Sequence, residues 1–459
     1  MLILDRFTKQ KSLEAINADL ETNNTIRTTA LCKNNYIILR VLFSLISVFL
    51  LVDLSAQTRI SSPYSYYGVG DLYSNNNARS LSMGRIGLTF RNSNYINFSN
   101  PSSYIGFDST SFVFEGGILS RFKELETTES YQQSSYTNLS YLAFGFPVFR
   151  WWASSFGLLP FSSAGYKVSE DTILTNIGNV NYSYEGNGGI NQLYFGNAFK
   201  IGENLSIGIN ASYLFGSIDK TRIITFPDSI NYYNLHDNES QYISDFYFTY
   251  GLQYHKKLKN DINLETGLVF NSSSDISAKK SILTQRFFSS TTGNTVMIDT
   301  IENVSDIKGN IKLPMSIGGG ITFNKQGKWL VGLEGSWQNW SKYSSFGLSD
   351  SLVDSYNISA GTEFSPTSNN LSKYWKKVYY RLGIRYNKTY LQLNNNQINE
   401  YGISFGFGFP LRRWNATLNT GFELGRRGTT DNNLIRENFG NIIIGIAIKE
   451  RWFQIRKYE

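Results

Sequence analysis

One cysteine, Cys32, and two histidines, His236 and His255, stand in a chain of 459 residues. Cys32 lies ahead of the first apolar run, so the chain beyond it has no thiol for a disulfide or a cysteine-ligated metal. The two histidines fall in different connecting segments, and neither sits among convergent acids or beside a placed serine. No phosphate loop, metal cluster or catalytic triad is present, which argues against an enzyme and names no cofactor. Charged residues make up only 17% of the chain, and its net charge of +7 is dispersed. That is not the clustered basic stripe of a nucleic-acid binder. Long apolar runs are missing too. The only candidate, Val41 to Val52, is too short for a membrane-spanning helix.

What the chain does have is alternation. Ile442, Ile444, Ile446 and Ile448 share one parity, and Asn441, Gly445 and Ala447 hold the other. Tyr401, Ile403, Phe405, Phe407 and Phe409 oppose Gly402, Ser404, Gly406 and Gly408. Leu205, Ile207, Ile209, Ala211, Tyr213 and Phe215 oppose Ser206, Gly208, Asn210 and Ser212. Successive side chains on a strand point to opposite faces. A soluble β-sandwich alternates as well, but it keeps its bulky residues inside and its charges outside. Here large aromatics, 15% of the chain, crowd one face, while glycines and single charges crowd the other. The fold class expected is all-β, a transmembrane antiparallel β-barrel of about fourteen strands with lipid outside.

The strands are expected at 110–122, 134–147, 150–165, 187–200, 204–221, 240–256, 261–280, 310–324, 328–343, 374–387, 389–395, 398–409, 412–426 and 437–449. Short turns alternate with long gaps at 123–133, 166–186, 222–239, 281–309, 344–373 and 427–436. Short periplasmic turns and long external loops describe a bacterial outer-membrane barrel with both chain ends in the periplasm. Charge follows the same division. Arg150, Lys200, Lys256, Lys257, Lys325, Lys328, Lys388 and Arg412 lie at short turns, and the long gaps are richer in acid. A basic rim of this kind would meet anionic headgroups of the outer-membrane lipid.

Residues 1–56 read as an upstream extension followed by a cleaved secretory signal. Lys33 and Arg40 precede the apolar run, and Ser55-Ala56-Gln57 follows it, with cleavage expected near Ala56 or Gln57. Translation is expected to begin near Leu31. Residues 57–109 form a plug, 110–449 the barrel, and 450–459 a basic, aromatic periplasmic tail.

The plug segment is rich in Gly, Ser, Asn and Tyr. It carries Ala78 to Gly87, including Gly84 and Gly87, and then Asn100-Pro101-Ser102 just ahead of the first strand. A small-residue stretch, an Asn-Pro box and about fourteen strands together resemble the FadL-type outer-membrane transporters of long-chain fatty acids and other hydrophobic compounds. The resemblance extends over residues 60–459. Ser102 departs from that family's alanine, and Arg85 interrupts the glycine stretch. The resemblance implies a hatch that fills the lumen and a third strand interrupted so that the wall opens sideways. In this chain the expected third strand holds Gly157 and Pro160, and proline cannot donate to a sheet ladder.

Lys377, Arg381 and Arg385 share one parity on an expected strand and must face the lumen, because a charge facing lipid costs about 2–4 kcal/mol at the midplane. Glu334 and Glu423 have inward parity as well. Two roles are open for these charges: an ion-pair network gripping the hatch, or an arginine fork for a ligand's carboxylate. Two functions are weighed. One is passive, diffusion-driven uptake of a hydrophobic small-molecule ligand, with lateral exit near Pro160. The other is a non-transporting barrel subunit of a larger outer-membrane complex for protein insertion or secretion, partnered by other outer-membrane proteins or lipoproteins.

Overall fold

The computed structural model describes residues 62–228, 232–289, 295–325, 327–367, 373–411 and 415–451. The expected upstream extension, signal segment and cleavage site, and most of the expected tail, lie outside the described residues. No described helix is long and apolar enough to cross a membrane.

A two-residue strand, β1 (Asp71–Leu72), precedes the wall. The wall is built from β2 (Ser111–Glu126), β3 (Tyr131–Phe149), β4 (Trp152–Leu174), β5 (Gly178–Ile201), β6 (Leu205–Thr225) and β7 (Asn234–Lys257), followed by β8 (Ile262–Asn271), β9 (Ser274–Ser289), β10 (Thr295–Leu313), β11 (Ser316–Lys325) and β12 (Trp329–Gln338). After the two-residue β13 (Ser344–Ser345) come β14 (Ser355–Phe364), β15 (Tyr379–Leu393), β16 (Asn396–Leu411), β17 (Ala416–Arg427) and β18 (Arg436–Arg451). Every ladder is antiparallel. β18 pairs with β2 from Arg436↔Glu126 to Arg451↔Ser111, which closes the cylinder. β8 and β9 both pair with β7, and β10 and β11 pair with β9 and β8, so each couple is one wall position broken midway. Counted that way, and without β1 and β13, the wall has fourteen strands.

The expected number is right, but two of the expected strands differ. Residues 389–395 are the end of β15, not a strand of their own. The missing strand is β14, inside a stretch read as loop. Its outward positions include Ala360 and Thr362, which blur the alternation that Tyr356, Ile358 and Phe364 maintain. Lys388, expected at a turn, is therefore mid-strand and pairs with Tyr356 and Asn399.

Most of the expected long loops are hairpins of paired strand. β4 and β5 continue to Leu174↔Gly178, and β6 and β7 to Ile224↔Leu235. Beyond the lipid there is no reason for an apolar outer face, so the alternation fades while backbone pairing continues. Within the belt the outward side chains are large and exposed: Phe195, Ile207, Phe248, Leu268, Ile321, Leu333, Ile358, Leu382, Ile403 and Ile444. Their inward neighbours, such as Ser206, Ser359, Ser404 and Asn441, are buried.

Residues 62–108 are mostly buried against these inward faces. The segment starts toward the rim that bears the long hairpins. There the Ser62 amide donates to the Gly165 carbonyl, the Tyr64 hydroxyl to that of Ile435, and the Gly68 amide to Asp350. It ends at the short-turn rim, where the Lys449 ammonium donates to Ser93 and Asn94. The two ends of the described chain therefore point to opposite rims. The expectation that both termini are periplasmic falls on residues outside those described.

Candidate functional site

The site is the seam between the N-terminal segment and the wall. A four-residue helix, Ala78–Leu81, is capped by the Asn77 side chain, which accepts from the Ser80 amide. The helix places Arg79 against β14. The Arg79 guanidinium grips Glu363 in a fork, with Nε–Oε2 and Nη2–Oε1 both 2.9 Å. From the wall, Arg381 Nε reaches the same carboxylate at 2.7 Å. Glu363 thus lies between one arginine of the segment and one of β15. Phe90 and Tyr95 face the Arg79 cation at 4.9 and 5.0 Å.

The same arrangement recurs one strand pair away. Glu423 of β17 receives Arg85 Nη2 of the segment at 2.7 Å and Arg385 Nε of the wall at 2.5 Å. Asn441 Nδ2 donates to it at 2.7 Å, and Arg385 also pairs with Glu400. Arg85, which breaks the glycine stretch in the sequence, holds a positive φ of 65° and supplies this contact. A third group joins Asp71 to Arg427 at 2.8 Å and to Lys123 at 3.4 Å; Lys123 reaches Glu437 at the same distance. Burial alone would raise the Asp71 carboxyl, but Arg427 and Lys123 beside it hold it well below the usual carboxylate range. These are charge-assisted bonds in a shielded interior.

Two further wall carboxylates bind the segment through its backbone. Glu334 accepts from the amides of Gly87 and Thr89 at 2.8 and 3.1 Å. Glu115 accepts from the Ile96 amide at 2.8 Å and from Asn77 Nδ2 at 3.2 Å. Arg381, Arg385, Glu334 and Glu423, singled out by inward parity, all lie at this seam. Lys377 does not extend their strand; it ends a 3-10 turn, Tyr374–Lys377, ahead of β15. Arg79, Glu363, Glu400, Arg427 and Glu437 belong to the same network and were not singled out. For the four on strands the signal in the sequence is a charge at inward parity, and Glu363 lies on the strand that was missed; Arg79, on a helix, has none.

The motif residues lie at the closest approaches. The Gly84 amide donates to Ser404 Oγ at 2.7 Å, and a Cβ on Gly383 of β15 would come within 2.0 Å of that amide nitrogen. Asn100 accepts from the Ser102 amide at 3.1 Å and donates to the Leu88 carbonyl at 2.6 Å. Beside it, Asn100 and Pro101 press on Gly251 of β7, where a Cβ would meet Asn100 Oδ1 at 2.1 Å.

Gly157 and Pro160 flank a discontinuity. The β3–β4 ladder runs from Phe149↔Trp152 only to Leu142↔Leu158. Beyond that point β4 pairs with β5 alone among the wall strands, with a bulge between Pro160 and Ser162. β1 takes up part of the vacated edge through Asp71↔Ser163 and Leu72↔Ser162, and the Tyr73 amide donates to the Phe161 carbonyl. Tyr73 also spans to β3, where Asn138 Nδ2 donates to its hydroxyl at 2.7 Å.

Toward the long-hairpin rim lies a cavity of about 400 Å³. Its lining mixes charged groups, among them Asp71, Arg121, Lys123, Arg385, Arg427 and Glu437, with apolar ones such as Phe161, Tyr247, Val269, Leu313, Trp340 and Phe439. Arg385 is engaged by Glu400 and Glu423, while Arg381, outside this lining, bonds Glu363 and Asn419 and leaves its Nη2 without a partner. The two histidines lie apart, His236 on the upper part of β7 and His255 beside Glu265, 3.4 Å away.

Known proteins were compared with this chain. A family model described as BamG matches residues 37–459. No curated protein matches by sequence. Solved structures with a similar fold include the Ralstonia pickettii toluene transporter TbuX, at 12% identity and a TM-score of 0.56, with 83% of this chain and 99% of that one covered. The Pseudomonas putida toluene transporter TodX gives 15% and 0.53, covering 84% and 100%. A Pseudomonas aeruginosa FadL homologue gives 10% and 0.54, covering 84% and 100%. The chain therefore has the FadL-like outer-membrane barrel fold.

Proposed function

The chain belongs to the BamG family, and from that premise we propose that it is a stoppered outer-membrane barrel working as a non-transporting subunit of a larger protein insertion or secretion complex. The observation that carries this reading is the double clamp. Glu363 and Glu423 are each held between an arginine of the lumen segment and an arginine of the wall. Removing one partner of such a buried group costs about 3–5 kcal/mol, so freeing the segment means breaking several of these at once. Membership in the BamG family agrees with a subunit role.

Uptake of hydrophobic small molecules is the second reading. It is favoured by the separation of β3 from β4 above Leu142↔Leu158 and by the fold shared with the toluene transporters. Purification from native membranes in mild detergent, followed by mass spectrometry, separates the two. Stoichiometric protein partners are expected. A lone monomer with co-purified lipid, whose Glu363→Gln variant changes hydrocarbon uptake, would overturn the subunit reading in favour of transport.

A further inference from the structure

The upper half of β10 is a bare sheet edge of unusual composition. Thr295–Ile307 pairs with β9 on one side, and no described strand pairs with it on the other; β13 reaches only Ile311 and Lys312. Natural sheet edges are guarded by charges, above all lysine, by proline or β-bulges, or are kept short. This one is long and has no lysine or proline; its guards are acids and bulges. It exposes Val296, Met297, Ile298, Ile301 and Val304, from 40% at Val304 to 55% at Ile301. Three register shifts bend the strand, at Met297/Asp299, Thr300/Glu302 and Val304/Ile307, and they leave Ile298 and Ile301 without a partner across β9. Lipid does not account for these side chains. They stand beyond the belt residues Ile317, Ile321 and Phe323 of β11, with Lys308-Gly309-Asn310 between, and among Asp299, Glu302, Asn303 and Asp306.

We infer that this edge docks an extended strand of a partner protein whose side chains include both apolar and basic residues. The inference rests on the subunit reading above. Strand addition to a bare edge supplies backbone bonds, and side-chain pockets supply selectivity. Charge sets the partner's sign. From Thr295 to Ile307 the strand carries Asp299, Glu302 and Asp306 and no cation. Arg286 and Lys279 answer Asp299 and Asp306 from β9, whereas Glu302 faces Thr284. A second copy of the chain would set acid against acid, so the occupant is a different protein.

The test is a photo-crosslinking amino acid at Ile301 of the full chain in its own membrane, with a control at the lipid-facing Ile384. The expected product joins residue 301 to a partner peptide containing apolar residues and Lys or Arg. Its yield should fall at least about tenfold in the Glu302→Lys background, because like charges across an interface are costly. Heat-modifiable gel migration verifies that the barrel of each variant is folded. Crosslinks only to a second copy, to lipid or to nothing, while partner proteins still co-purify, overturn the docking edge and leave the subunit reading standing. Absence of any co-purifying protein overturns both.

Discussion

Single residues decide whether the lumen segment stays in place. Glu363→Gln keeps the shape of the side chain but leaves Arg79 and Arg381 facing a neutral amide, with a loss of about 3–5 kcal/mol expected. Protease cleavage within residues 62–108 of the folded barrel, and a lower urea midpoint, check it. Gly383→Ala should block docking outright, because the new methyl would collide with the Gly84 backbone. The variant is expected to fail heat-modifiable migration. Acid acts through Asp71. Its folded value lies below the unfolded one of about 3.9, so its contribution is complete above that value and fades as pH falls past it. Protease protection of the segment should weaken when the pH is taken from 5 into stronger acid. Inward parity alone located Arg381, Arg385, Glu334 and Glu423 in the sequence. Their partners Arg79 and Arg85 come from an aperiodic segment, where nothing in the pattern says which way a side chain points.

At the scale of elements, the belt was legible because lipid imposes a rule on one face. That rule stops at the headgroups. Hence the hairpins above the belt read as loops, and β14, with Ala360 and Thr362 on its outer face, read as loop as well. Pro160 lies two residues past the last β3–β4 pair. Its effect on the ladder depends on β1 and Tyr73, which no sequence rule would have matched to that edge. Tyr73→Ala removes the bridge to Asn138 and the ring facing Arg121. Faster hydrogen exchange is expected at Ser162, Ser163 and Gly165, where β4 borrows its partner from the segment. Exchange in the β5–β6 ladder should stay unchanged.

For the whole molecule, the closed cylinder followed from parity and turn spacing, and the strand total agreed because residues 389–395 were counted in place of β14. Among the described residues, Ser62 lies toward the long hairpins and Arg451 toward the short turns. This placement dictates an order of construction. The ladder joining β2 to β18 is closed by the last strand of the chain, and residues 62–108 touch the wall from Tyr64 beside Ile435 to Ser93 beside Lys449. The leading residues must therefore be laid inside while the sheet is still an open trough, since threading them through a finished tube would drag buried arginines past one another.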